Sequence, residues 1–403
     1  MSIDVVLKNR GGEDITYDAE NGIVLRTPQN TTRKFYPGSD DPGYITFSSP
    51  GAFTLQMNDL SGNKAWNGVL EYSSDATTWT EIAPKTWPTI YSGSDNKIYL
   101  RGFNNSTLGG DYQRDNSERL FILIGTDISV SGNMATLLDA NSVKRGVLPP
   151  LGMYAFAHLF QGNANLINAD VILPHTRLAY SCYYGMFNGT GITRAPALPA
   201  TQLDAECYHG MFMNCSNLAQ APELPATTLA DSCYHSMFYG CAFEYPPELP
   251  ALTLASSCYS SMFSQCTRLV EAPELPATVA AGLCYSGMFS NTGLTTPPEI
   301  KLTQLAYSCC SSMFYRCASL SSLAKIYATS ISDSALSGMY SNCTSIKVSS
   351  TRTGIYQYPF RIPVTGTGTV GSGSLSNMFA STGGTFTGTP SVNTTYYTDY
   401  EPV

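Results

Sequence analysis

Apolar residues recur along residues 150–346 at two nested intervals. Within a unit they fall four apart, as in Leu203, Cys207, Met211 and Cys215, and the same phrase returns after 25 or 26 residues. Three copies read Leu203-Asp-Ala-Glu-Cys207-Tyr-His-Gly-Met211-Phe212, Leu229-Ala-Asp-Ser-Cys233-Tyr-His-Ser-Met237-Phe238 and Leu254-Ala-Ser-Ser-Cys258-Tyr-Ser-Ser-Met262-Phe263. The interval of four predicts one face of a short helix, with Tyr208 and Phe212 on the adjoining stripe. The aromatic register runs Phe160, Phe187, Phe212, Phe238, Phe263, Phe289, Phe314, Tyr340. A unit of this size cannot bury its apolar face alone, so about eight of them are expected to stack as a solenoid with atypical ends. Leu218-Ala-Gln-Ala221-Pro222-Glu223-Leu224-Pro225 follows the helix. Two prolines three residues apart remove donors from any ladder, which leaves a short strand over roughly 218–221 and an extended connector.

Upstream, the pattern changes to short alternating runs. Val5-Val6-Leu7 and Ile23-Val24-Leu25 read as strands, with turn signals at Gly11-Gly12 and Pro37-Gly38. Ala52–Leu55, Gly68–Tyr72, Trp79–Ile82, Lys97–Leu100 and Leu120–Ile124 predict a second set, with a hairpin across Ser73–Thr77. All three tryptophans (Trp66, Trp79, Trp87) fall in this stretch and no cysteine does. The shift in composition places a boundary near residue 145. The expected organisation is a β attachment segment at 1–46, a β-sandwich-like domain at 47–145, the repeats at 146–346 and a Thr/Gly-rich cap at 347–403. The fold class is therefore mixed: all-β modules followed by an α/β repeat array. A late echo, Leu375-Ser-Asn-Met378-Phe379, reads as a closing cap.

Charge narrows the partners. Charged residues make up 13% and the net charge is −8, with no Lys/Arg cluster, so nucleic acid is not expected to bind. No apolar run approaches the ~20 residues of a membrane span, and the first residues carry charges where a signal peptide is apolar. Membrane insertion and export by a signal peptide are therefore not expected. The twelve cysteines all lie between Cys182 and Cys343, locked to the repeat. Cysteines eight apart on a helix lie about 12 Å apart along its axis, too far for a disulfide. They read as buried thiols, and no C-x₂₋₄-C zinc spacing is present.

Four patterns carry candidate chemistry. Gly366-Thr-Gly368-Thr-Val-Gly371 matches a dinucleotide fingerprint in letters only, with no acidic residue at the right distance, and reads as a flexible loop. His209 and His235 take the same place in successive units, as solvated or hydrogen-bonded imidazoles or two ligands of a metal. Glu223, Glu248, Glu274 and Glu299 form a carboxylate ladder, tolerable when exposed and of interest for calcium, although one carboxylate per unit is too few for a cage. Tyr183, Tyr208, Tyr234, Tyr259 and Tyr285 form a tyrosine ladder, either a contact strip for carbohydrate or protein or a packed layer against the Phe stripe. No H-E-x-x-H, G-x-S-x-G or Walker loop is present. No catalytic, metal or cofactor residue is assigned, and no enzyme activity is expected.

The phrase Met-Phe-x-x-Cys-x-x-Leu followed by Ala-Pro-Glu-Leu-Pro-Ala resembles the BspA-like leucine-rich repeat, with Met where that family has Ala. The resemblance covers 150–346 and implies a curved right-handed solenoid with one short strand per coil, used in adhesion or recognition. The module around Tyr44-Ile-Thr-Phe, Trp66-Asn-Gly, Tyr72-Ser-Ser-Asp-Ala-Thr-Thr-Trp79-Thr and Ile98-Tyr-Leu-Arg-Gly resembles the β domain that precedes such repeats in predicted proteins of gut Bacteroidales phages. The opening Val5-Val6-Leu7-Lys-Asn-Arg-Gly-Gly-Glu-Asp-Ile-Thr-Tyr17 is similar to leading segments of phage structural proteins. These resemblances imply a virion fibre, spike or appendage protein. Its β modules would dock on other virion proteins and its repeats would face a host protein or glycan, as a homo-oligomer on the particle surface. A bacterial adhesin of the BspA type and a polysaccharide-degrading spike are the alternatives.

Overall fold

The computed structural model describes residues 42–57, 66–83, 86–108 and 120–403, with the strands Leu7–Lys8, Asp14–Ile15, Tyr17–Asp18, Gly22–Arg26 and Thr32–Phe35. The chain is β-rich. Among the described residues its strands form several small sheets, none closed into a barrel, and the one α-helix is Thr136–Lys144. Gly22–Arg26 pairs antiparallel with Tyr17–Asp18 and Thr32–Phe35, which puts a strand where Ile23-Val24-Leu25 predicts one. Val5, Val6 and the turns expected at Gly11-Gly12 and Pro37-Gly38 lie outside the described residues.

Between Ile45 and Ile172 two sheets share one core. The smaller has the order Thr89–Tyr91, Thr54–Met57, Phe121–Ile124. The larger runs Leu166–Ile172, Ile128–Asn133, Ile45–Ser48, Lys97–Phe103, Val69–Ser73, Thr80–Ile82. Alternation turns Ile45 and Phe47 of one sheet and Leu55 and Met57 of the other inward. Phe47 and Phe121 meet edge-on across the core with centroids 6.1 Å apart. The expected hairpin is present, with Tyr72 opposite Thr80. Asp75 ties its turn by accepting the N–H groups of Thr78 (2.7 Å) and Thr77 (2.8 Å). Those donors hold its carboxyl well below the usual range.

The larger sheet crosses the boundary placed near residue 145. Its last strand, Leu166–Ile172, comes from the first repeat and pairs parallel with Ile128–Asn133. Buried Asn163 reinforces this join. Its Oδ1 accepts the Leu123 N–H (2.9 Å), and its Nδ2 donates to Phe121 O (2.8 Å) and Phe160 O (2.9 Å).

The segment read as a helix in each repeat is not helical, which corrects the expected α/β unit. It is a ribbon of consecutive turns. In the ribbon 206–215, His209, Met211, Met213 and Cys215 donate their N–H groups three residues back, to Glu206, Tyr208, Gly210 and Phe212. The alternate N–H groups leave the repeat. Tyr208 donates to Cys233 O (3.0 Å), Gly210 to His235 O (2.9 Å), Phe212 to Met237 O (3.0 Å) and Asn214 to Tyr239 O (2.7 Å). Every fourth residue takes a positive φ: 56° at Glu206, 58° at Gly210 and 58° at Asn214. That is the third-position requirement of a type II turn. The pattern recurs in ribbons that begin at Tyr154, Ser181, Glu206, Ser232, Ser257, Leu283, Ser308, Ser334 and Gly373. A four-residue turn period keeps Cys207, Met211 and Cys215 on one side, as a helix does, but spends its backbone donors differently.

Extended connectors return the chain between ribbons. They touch through isolated parallel bridges, Arg194 with Gln220, Thr228 with Thr253 and Thr253 with Val279, and through short strands at Gln304–Leu305, Ser330–Ile331 and Thr369–Val370. The first bridge lies inside the strand expected over 218–221; the second, after the prolines, is one the sequence pattern did not predict. The late echo forms a further rung: Leu336 and Tyr340 donate to Ser374 O (2.9 Å) and Met378 O (3.0 Å). Beyond it Val348–Ser349, Thr395–Thr398 and Tyr358–Arg361 form an antiparallel sheet. Phe360 and Phe386 meet Phe379 edge-on at 6.0 and 6.1 Å.

Two substitutions test this description by urea midpoint. Asn163→Ala leaves a buried N–H and two buried carbonyls short of a partner and should cost about 2–4 kcal/mol. Exposed Arg316 holds a φ of 61° at the position where other ribbons carry Asn214, Asn291 and Asn342. Arg316→Asn should therefore stabilise by roughly 0.5–1 kcal/mol, and a loss of stability would contradict the ribbon geometry.

Candidate functional site

The ribbons turn two consecutive residues of every four inward. Cys207 with Tyr208 and Met211 with Phe212 are all buried. The tyrosine ladder is therefore interior: Tyr183, Tyr208, Tyr234, Tyr259 and Tyr285 are 1–2% exposed. They stack ring on ring at 5.7–6.1 Å. This overturns their candidacy as a contact strip. Burial also pushes their hydroxyls well above the ordinary tyrosine range. A parallel column runs from Phe160 through Phe187, Phe212, Phe238, Phe263, Phe289, Phe314 and Tyr340 to Phe379. Tyr340 fits because its hydroxyl accepts the Ala324 N–H at 2.9 Å.

His209 and His235 stack at 4.4 Å in a half-buried column that begins with His158 and Tyr184. Later repeats carry Ser260, Ser286, Ser311 and Ser337 in this column, each donating Oγ–H to the next repeat's backbone. Face-to-face rings do not aim two nitrogens at one point as a chelate does. Among the described residues no group of three or more His, Cys, Asp or Glu converges as metal ligands would.

Glu223, Glu248, Glu274 and Glu299 are exposed, one per repeat. The connectors alternate. Pro222, Leu224 and Ala226 face the core while Glu223, Pro225 and Thr227 face out. The next repeat presents Glu248, Pro250 and Leu252, and those after it Glu274, Pro276, Thr278 and Glu299, Lys301, Thr303. The result is a face with a carboxylate row, a largely proline row and a largely threonine row. Backbone bonds keep the threonine row in register: Thr278 donates to Leu252 O (3.1 Å) and Thr303 to Thr278 O (3.2 Å). An open groove of about 370 Å³ lies on this face, between Thr227–Leu229 of one repeat and Pro250 and Leu252–Leu254 of the next. It offers hydroxyls, methyls and the exposed Leu252 side chain, suited to contact over an extended partner and without a nucleophile–base pair.

Sequence reasoning missed the connector face as a unit because only its Glu row stands out by charge. It also missed a cluster on the β module, where the Arg101 guanidinium lies 3.9 Å from the Trp79 ring and pairs with Glu71 at 2.7 Å. The Gly366–Gly371 segment is not a free loop. Thr369–Val370 pairs parallel with Ser330–Ile331, and the Gly371 N–H donates to Ile331 O at 2.7 Å.

All twelve cysteines are free and buried. One column donates its thiols to the preceding repeat: Cys215 to Phe187 O (3.0 Å), Cys241 to Phe212 O (3.1 Å) and Cys266 to Phe238 O (3.0 Å). Thr190 and Thr292 stand in the same column. Burial pushes Cys182 and Cys266 up to about 12 and Cys215 to about 11. An aromatic disulfide reagent at pH 8 should therefore find almost no thiol in the native protein and twelve after unfolding. Prompt labelling of the folded chain would place thiols outside the core. No protein-family model, curated protein or solved structure matches the chain.

Proposed function

We propose that the chain is a non-enzymatic structural protein of a phage particle, a fibre or appendage component. The ribbons and connectors are its leucine-rich-repeat solenoid of the BspA-like kind, and the exposed Glu–Pro–Thr face is its recognition surface. The observation that carries the reading is that face, an extended outward array in register over several repeats. Long arrays of this kind suit recognition of an extended partner. The two-sheet module, a β-sandwich in this reading, docks on other virion proteins. Self-association and placement on the particle surface belong to the same proposal, as does recognition of a host protein or glycan. The motif resemblance over residues 150–346 supports the repeat class, and the module around Tyr44, Trp66 and Trp79 supports the phage assignment. Among the described residues no helix is long and apolar enough to cross a membrane.

Two measurements test it. Labelled antibody against the chain should decorate intact particles; label confined to cell surfaces would favour an adhesin instead. The full chain should bind host cells or a glycan array without releasing reducing sugar. Leu252, 61% exposed on the groove, can become Leu252→Arg without a folding penalty from burial. That change should weaken binding about tenfold, the effect of ~1.4 kcal/mol. Unchanged binding would remove this face from the proposal.

A further inference from the structure

The stack is not chemically uniform along its length. Its early repeats place imidazoles in a column where its later repeats place serines. His158 lies 5.0 Å from Tyr184, Tyr184 lies 4.4 Å from His209, and His209 lies 4.4 Å from His235. The serines of the same column satisfy themselves by donating to the next repeat, as Ser260 does to Ser286 O at 3.2 Å. In contrast, the buried Nδ1 of His209 has no hydrogen-bond partner.

The surroundings offer little to a positive charge. On one side of His209 stands Tyr184, with His158 beyond it; on the other stands His235, followed by Ser260. Glu206, in the same ribbon, accepts a hydrogen bond from Ser181 Oγ. Asp204 and Asp231 lie exposed on the edges of their ribbons and accept backbone N–H groups of Ala205 and Ser256. None of these carboxylates hydrogen-bonds either imidazole. Two imidazolium rings at the observed separation would repel each other inside a half-buried column.

We propose that this column is an acid-sensitive element: protonation of His209 and His235 loosens the ribbons 181–190, 206–215 and 232–241 while the serine-bearing ribbons stay closed. Burial pushes His209 down to about 3, with the neighbouring imidazoles adding to the shift, and burial also lowers His235. The native state therefore holds His209 and His235 neutral while the unfolded chain protonates them near 6.5. Between those values the unfolded state binds more protons, so stability falls as pH drops from about 6.5 toward 3. Ordinary carboxylate effects enter lower, below about 5. His175, lowered by burial and placed against Pro149 O, is outside the column and contributes equally to any column variant.

The test compares the full-length protein with His209→Ser/His235→Ser, which installs the residue that later repeats already accommodate. From pH 7.5 to 5 the folding constant of the unmodified chain should fall at least about thirtyfold more than that of the double variant. Hydrogen exchange, corrected for its intrinsic pH dependence, should show protection lost first across 181–241 and retained across 257–317. Parallel pH profiles for the two proteins, or loss of protection spread evenly along the repeats, would overturn the proposal. Should the double variant fold poorly, imidazole resonances of the unmodified protein decide the point. Titration of His209 below pH 5 supports the element, and titration at or above 6.5 removes it.

Discussion

Half of the backbone N–H groups in each ribbon but the last donate to the next repeat, and the rest of the structure is arranged around that division. An α-helix spends every interior donor inside itself. A ribbon that bonds only alternate donors internally can hand the others to its neighbour, so backbone pairing joins successive repeats as it joins strands in a sheet. The cost falls on every fourth residue, which takes a left-handed φ that an L-residue with a side chain adopts at roughly 1–2 kcal/mol. Glycine and asparagine lower that cost at Gly210, Asn214 and Gly240, whereas Leu283 and Arg316 bear it. The two bonds handed on per four residues, at about 1 kcal/mol net each, do no more than match such strain. The burial of Cys, Tyr, Met and Phe that the turn geometry makes possible supplies the remainder, at about 1.5–3 kcal/mol for each large apolar side chain.

A stack built this way has unsatisfied ends, and both ends are closed by β structure. At the first repeat the Leu108 and Phe121 N–H groups donate to Ala155 O (2.8 Å) and Leu159 O (3.1 Å), and Leu166–Ile172 enters the larger sheet. At the last, the aromatic column meets Phe360 and Phe386 edge-on, which stops ring stacking where it would otherwise continue. The β module and the repeats thus share one hydrophobic core, with Phe47, Phe121 and Phe160 in mutual contact. Exposed strand edges and open repeat ends invite self-pairing, so this closure is what lets a long stack remain discrete.

The period was legible in the sequence, and so were the buried unbridged thiols and most strands of the β module. The local geometry was not. A spacing of four between Cys207, Met211 and Cys215 lies close to the helical 3.6, and apolar periodicity alone does not separate a helix from a ribbon of turns. The distinguishing signal lay in the polar positions. Ser232, Ser236 and Gly240, or Glu206, Gly210 and Asn214, repeat at the same interval of four, and glycine, serine and asparagine are poor residues for a helix interior. Misreading the ribbon also misplaced the tyrosines. On a helix Tyr208 would flank the buried stripe; in the ribbon it shares the interior with Cys207. Strand Leu166–Ile172 was hidden for another reason, because its partner Ile128–Asn133 lies on the far side of a helix and its pairing is nonlocal.

Inside and outside follow different rules along the stack, and this separation is what a recognition surface requires. The interior positions are locked together: a Phe column interrupted only by Tyr340 needs one ring per repeat at one spacing, and Tyr340 is accommodated because Ala324 supplies a donor to its hydroxyl. The connector face carries no such constraint. Its threonine row admits Leu252 and its proline row admits Lys301 and Tyr327, while Ala197 and Lys325 stand at the ends of the glutamate row. Those side chains point away from the core, so changing them leaves both the backbone ladder and the aromatic columns intact. The array can therefore hold its geometry fixed while the chemistry of its outer rows varies. The buried Tyr column, by contrast, cannot be altered without altering the stack itself, whereas the half-buried His column passes to serine in the later repeats.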